Sequence, residues 1–187
     1  RYMMSFNGEI YNYQQLFTKY LPDQACPLSD SVALLRLLDL KGVSLISELR
    51  GMFAIALFDM EDGVAHLIRD HFGQKQLYYS RQGRKLFVSS EIKPLFQIKK
   101  PSFNIDALSE YLNHGLFDHD DSTFFDSIFQ VPCGSCVSFE IEKNRISLNC
   151  FFDPKVDGNV AEYALDFFKP QGFVEFANPI IKGALHG

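Results

Sequence analysis

The run Met52-Phe53-Ala54-Ile55-Ala56-Leu57-Phe58 constrains the fold more than any other stretch of this chain. In an extended segment, alternate side chains point to opposite faces. Here both sets are apolar: Phe53, Ile55 and Leu57 on one face, Met52, Ala54, Ala56 and Phe58 on the other. A strand with one face in water would alternate with polar residues, so this one is expected to be covered on both sides. The alanines leave room for a closely packed second layer. The chain has 187 residues, and one of ~150 already buries about 70% of its surface, enough for such a core.

The surrounding pattern supplies the covering layers. Tyr2 to Phe6 reads as a strand that breaks at Asn7-Gly8, and Asn12 to Tyr20 as a helix. Pro22 and Pro27 bracket a loop. Ser29-Asp30-Ser31 opens a second helix whose apolar face is Val32, Leu34, Leu35, Leu37 and Leu38, with Gly42 as its stop. A short helix spans Ser44 to Leu49. Strand-like runs at 64–69, 77–80 and 85–90 suggest an antiparallel meander with the Met52 strand. A helix from about Glu91 to Phe96 follows, then one from Ile105 to His114 capped by Asn104, and a hairpin with arms at 135–142 and 145–152. The domain is expected to end at Pro154, with 155–187 an irregular tail broken by Pro170, Gly172, Pro179 and Gly183. Helices flanking a two-sided sheet system make an α+β layered sandwich.

Composition excludes several functions. The net charge is −5 and no basic patch with interleaved aromatics appears, which argues against nucleic-acid binding. No apolar run approaches ~18 residues, the length of a membrane span, and no signal peptide is present, so a cytoplasmic location is expected. Cys133-Gly134-Ser135-Cys136 has C-x-x-C spacing, but no second ligand pair accompanies it and no helix follows, so it reads as a turn with two incidental thiols. The acidic stretch Phe117-Asp118-His119-Asp120-Asp121 lacks ordered ligand spacing and reads as a solvated loop. No metal site is expected.

Asn7-Gly8 is the first candidate for chemistry. A strand handing over to a helix there would expose a side-chain amide and backbone N–H groups able to hold an oxyanion or a carboxylate. Both residues also tolerate positive φ, so from these residues alone a plain turn is the favoured reading. Asp30, in the first turn of a helix, suits the macrodipole without any ligand.

Five stretches in order decide between these readings. They are Asn7-Gly8-Glu9-Ile10-Tyr11-Asn12; Ser29-Asp30; Leu49-Arg50-Gly51-Met52-Phe53-Ala54; Arg69-Asp70-x-x-Gly73-x-Lys75-x-Leu77-Tyr78-Tyr79; and Ser89-Ser90-Glu91-Ile92-Lys93. Together they resemble the glutaminase domain of glutamine-dependent asparagine synthetases, class II glutamine amidotransferases, over roughly Tyr2 to Pro154. The resemblance implies a four-layer αββα sandwich of the N-terminal-nucleophile amidohydrolase type, incomplete here. It implies an oxyanion hole at Asn7 and Gly8, and glutamine binding by Asn7, Gly8, Glu9 and Asp30. It implies a nucleophilic N-terminal Cys whose α-amine is its base, and ammonia delivered to a second, ATP-dependent domain.

The chain opens at Arg1, in what reads as mid-domain strand, so an N-terminal truncation is expected. None of Cys26, Cys133, Cys136 and Cys150 is placed to replace the nucleophile, and this chain alone is expected to be inactive. Gln74 and Gln76 stand where the family usually carries an apolar residue and a Pro. The implied partners are L-glutamine and the synthetase domain, with ATP and Mg confined to that absent domain and a homodimer left open. An inactive remnant, a glutamine-binding or assembly module, and an amidotransferase with another acceptor are the alternatives.

Overall fold

The computed structural model describes residues 1–98, 100–115 and 121–152. A five-stranded antiparallel sheet carries β1 (Tyr2–Ile10), β2 (Gly51–Asp59), β3 (Val64–Arg69), β7 (Ser135–Glu140) and β8 (Arg145–Cys150), in that spatial order. A smaller sheet has β4 (Tyr78–Gln82) at its centre, flanked by β5 (Lys85–Ser89) and β6 (Ile128–Gln130). Helices α1 (Tyr13–Tyr20) and α2 (Asp30–Lys41) connect β1 to β2, and α3 (Ile105–His114) precedes β6.

The two-sided reading of the Met52 run holds. Phe53, Ile55 and Leu57 pack with Leu16 and Phe17 of α1 and Leu34, Leu37 and Leu38 of α2 in one buried core. Ala54, on the opposite face, joins Leu67, Leu77, Tyr79, Val131 and Val137 in a second core between the sheets. Each fully buried Leu, Ile or Phe contributes about 1.5–3 kcal/mol of transfer free energy, so two cores on one strand fix its position firmly. Helix, sheet and sheet are three layers of an αββα order. The helix α3 buries none of its residues. It is capped as the sequence suggests: Asn104 Oδ1 accepts from Ala107 N at 3.2 Å, and Gly115 closes it with φ +68°.

Four expectations are corrected. The opening strand does not stop at Asn7-Gly8: β1 runs through both residues to Ile10, paired along its whole length with β2. Gly8 (φ +143°) is there for close approach, since a Cβ on it would lie 2.0 Å from the Met52 carbonyl oxygen. Gly51 across the ladder makes the reciprocal approach to Glu9. Second, the meander divides between sheets: β2 and β3 lie in the large one, β4 and β5 in the small one. The chain crosses over in the polar loop 70–76. Third, the short helices before β2 and after β5 are 3-10 turns, Gly42–Glu48 and Lys93–Gln97. Fourth, α2 turns Ala33 inward and leaves Val32 46% exposed, because the buried stripe is Ala33, Leu34, Leu37 and Leu38.

β6 is too short to carry a period and was not anticipated. The tail 155–187 and the acidic positions 117–120 lie outside the described residues. No helix among the described residues is long and apolar enough to cross a membrane.

Candidate functional site

β1 is an edge strand, and the register of its ladder decides which way its N–H groups point. Tyr11 N donates to Arg50 O at 2.7 Å, which makes Glu9–Met52 and Asn7–Ala54 the hydrogen-bonded pairs. Gly8 and Phe53 therefore turn their N–H groups away from each other. That of Phe53 points inward, to Asp70 Oδ2 at 3.2 Å. That of Gly8 points to the open edge. Ile10 also points outward, and its N–H is taken by Asp30 Oδ2 at 3.0 Å.

Asp30 thus does two local jobs. As the first residue of α2 it places a carboxylate at the positive helix end, and its Oδ1 accepts from Ser31 N at 2.7 Å. Its Oδ2 fastens that helix to the end of β1. Each oxygen keeps a second lone pair for a further donor. Asn7, Gly8, Glu9, Ser29, Asp30, Met52 and Lys75 line one cleft of about 430 Å³ with Tyr13 and Leu28. The Asn7 side chain has only a long contact, Nδ2 to Ser90 Oγ at 3.4 Å. The exposed Glu9 carboxylate has no hydrogen-bond donor among the described residues.

All four residues singled out from sequence, Asn7, Gly8, Glu9 and Asp30, therefore share one cleft. An outward N–H, a primary amide and two carboxylates can receive a neutral amide at one end and an ammonium at the other. A carboxylate–ammonium contact is charge-assisted, about 1.5–3 kcal/mol. No cysteine lines this cleft. Cys26 is half-buried, Cys133 and Cys150 are exposed and Cys136 is buried, all as free thiols. Burial pushes the Cys136 thiol up, away from the reactive thiolate.

Sequence reading missed how the inner wall is built. Asp70, fully buried, accepts four backbone N–H groups: Phe72 and Gln74 on Oδ1 at 3.1 and 3.0 Å, Phe53 and Lys75 on Oδ2 at 3.2 and 2.9 Å. Arg69, 1% exposed, donates to the carbonyls of Lys75, Val131 and Gly73 at 3.1, 3.0 and 2.9 Å. Gln76 fills the place of the usual Pro with an acceptor: its Oε1 takes Arg69 Nη2 at 2.8 Å and Gln130 Nε2 at 3.1 Å. The main chain of Lys75 is held on both sides, N–H by Asp70 and carbonyl by Arg69. His71 packs edge-on against Phe53, Phe151 and Phe152, and burial pushes its pKa down to about 4. The signal in the sequence was the motif Arg69-Asp70-x-x-Gly73-x-Lys75, two adjacent charges directly following an apolar strand, whose structural role the sequence left unassigned.

A family model described as glutamine amidotransferase domain matches residues 1–152. Asparagine synthetase [glutamine-hydrolyzing] 2 of Bacillus subtilis is 33% identical over 145 residues, 74% of this chain and 19% of that protein. Asparagine synthetase B [glutamine-hydrolyzing] of Escherichia coli is 39% identical over 100 residues, 52% of this chain and 18% of that protein. The chain thus spans under a fifth of the length of these two relatives. Among solved structures, the glutamine phosphoribosylpyrophosphate amidotransferase of B. subtilis aligns with TM-score 0.54 at 17% identity, covering 81% of this chain and 29% of that one. At that identity the likeness concerns the fold, and the fold is the N-terminal-nucleophile type of sandwich.

Proposed function

The chain belongs to the glutamine amidotransferase domain family, and from that premise we propose that it is the glutaminase half of a glutamine-dependent asparagine synthetase. The observation that carries this reading is that Asp30, the first residue of α2, lines one cleft with Asn7, Gly8 and Glu9 of β1. Asp30 and Glu9 take the α-ammonium of glutamine. Asn7 Nδ2 and the outward Gly8 N–H receive the amide oxygen. A thiolate adds to the amide carbon: the C–S bond forms and the carbonyl π pair moves onto oxygen, between these two donors. Collapse returns the pair, breaks the C–N bond and expels ammonia, the nitrogen taking its proton from the base that activated the thiol. Water then releases glutamate from the thioester. Losing one oxyanion donor typically costs about 3–4 kcal/mol of transition-state stabilisation.

Because none of the four cysteines lines the cleft, the thiol comes from outside this chain in this reading. So does the domain that uses ATP and Mg to activate aspartate for the ammonia. A cytoplasmic setting fits both substrates.

The test compares glutamate release from L-glutamine by the complete natural protein and by the 187-residue chain. The natural protein releases glutamate, and forms asparagine when aspartate, ATP and Mg are added; the chain alone stays at background. No glutamate from the natural protein refutes the reading. Glutamate without asparagine under those conditions moves it to an amidotransferase with another acceptor.

A further inference from the structure

The reaction above leaves the motif Ser89-Ser90-Glu91-Ile92-Lys93 without a role. It lies at the end of β5 in the small sheet, where Ser89 is the last strand residue and pairs with Tyr78 of β4. Ser89 Oγ then accepts from Glu91 N at 3.2 Å, a local serine turn. The 3-10 turn that follows is anchored by buried Leu95, whose N–H goes to Ile92 O at 2.9 Å. Ser90 is thus held between two anchored elements. Its Oγ meets Asn7 Nδ2 at 3.4 Å, a contact that crosses from the small sheet to the large one.

Asn7 is fixed at its root and loose at its tip. Its main chain belongs to a hydrogen-bonded pair with Ala54. Tyr2, Met4 and Phe6 of β1 pack against the helix-side core. By alternation Asn7 points to the other face with Met3, Ser5 and Glu9, and all four are exposed. That face looks toward β5, since Met3 and Ser5 share a groove with Leu86 and Val88. Two side-chain torsions of Asn7 remain for a neighbour to fix. Its Nδ2 carries two N–H groups, so one can go to Ser90 while the second is left for substrate. Ser90 is not among the residues that line the cleft, so it reaches substrate only through Asn7. Hydrogen bonds that serve a transition state are often long in the free enzyme and tighten on binding.

We propose that Ser90 is a positioning residue of this site: by accepting one N–H of Asn7 Nδ2 it aims the other at the glutamine amide oxygen. Ser90 keeps its own proton and exchanges no atoms with the substrate. The proposal rests on the glutaminase reading above, and it gives the small sheet a part in the oxyanion hole. A group that sharpens a transition-state donor lowers kcat when removed and leaves KM in place.

The experiment measures glutamine hydrolysis by the complete natural protein. Its variants are Ser90→Ala, Ser90→Thr, Asn7→Ala and the double variant Asn7→Ala/Ser90→Ala. The inhibitor is the γ-aldehyde analogue of glutamine, which forms a tetrahedral adduct with the thiol. For Ser90→Ala we expect kcat to fall about three- to tenfold, the loss of one neutral hydrogen bond, with KM within about twofold. Aldehyde binding should weaken by a similar factor, and Ser90→Thr, which keeps the oxygen, should restore most of both. In the Asn7→Ala background no amide remains to aim, and Ser90→Ala should change kcat by less than about 1.5-fold. A merely structural role would give the same loss in both backgrounds, and that result overturns the proposal. So does an unchanged kcat in Ser90→Ala, or a change confined to KM. If the unsubstituted protein hydrolyses no glutamine, the glutaminase reading fails and this proposal falls with it.

Discussion

Removing the Asp70 carboxylate tests the framework of the cleft most directly. Its two oxygens accept four backbone N–H groups at 2.9–3.2 Å from a fully buried position. Bonds to a charged group are worth about 1.5–3 kcal/mol each, but they do not simply add. The N–H groups of Phe72, Gln74 and Lys75 lie in a loop that can open and hydrate. That of Phe53 belongs to a fully buried residue of β2 and points away from β1, to Asp70. Asp70→Ala therefore leaves one orphaned core donor and an unfastened loop, a loss of about 3–5 kcal/mol. That is a large share of the 5–15 kcal/mol typical of a whole domain. Asp70→Asn keeps the volume and one oxygen, and should lose about 2 kcal/mol. Urea denaturation followed by circular dichroism gives both values, and amide exchange at Phe53 reports the particular bond. A loss below about 1 kcal/mol in Asp70→Ala, or unchanged protection at Phe53, would refute the account.

Two further predictions concern stability. His71 is held neutral by burial, with its pKa pushed down to about 4. The unfolded chain then binds the extra proton first, so stability is complete above about pH 6.5 and falls as the pH drops toward 4. The loss reaches about 2 kcal/mol at pH 5. Urea midpoints at pH 7 and pH 5 measure it, and His71→Phe should flatten that slope; an equal slope in the variant contradicts the assignment. Gly8→Ala sets a Cβ 2.0 Å from Met52 O and 2.7 Å from Phe53 Cα at φ +143°. β1 and β2 must part, and we expect a loss above about 3 kcal/mol, seen as a lowered Tm. A Tm within a few degrees of the parent protein would show that the strands tolerate the methyl group.

The sequence by itself determined whatever depends on local period and local chemistry. Alternation marked the Met52 run as covered on both faces, and Asn104 and Gly115 marked the ends of α3. The five ordered motifs brought Asn7, Gly8, Glu9 and Asp30 together as candidates before any coordinates. Only the tertiary structure decided what rests on non-local backbone hydrogen bonds. Asn-Gly is a turn signal in isolation, yet Gly8 lies inside a strand because its lack of a Cβ lets β2 approach from 40-odd residues away. The strands 64–69 and 77–80 look like neighbours in a meander, yet they belong to different sheets. The loop between them saturates its own polar groups on Arg69 and Asp70 rather than on a ladder. A side chain's period is written in its neighbours along the chain, but the direction of an N–H group is set by whichever strand lies beside it. That is why the donor at Gly8, the clasp at Asp30 and the clamp beneath Lys75 became visible only in three dimensions.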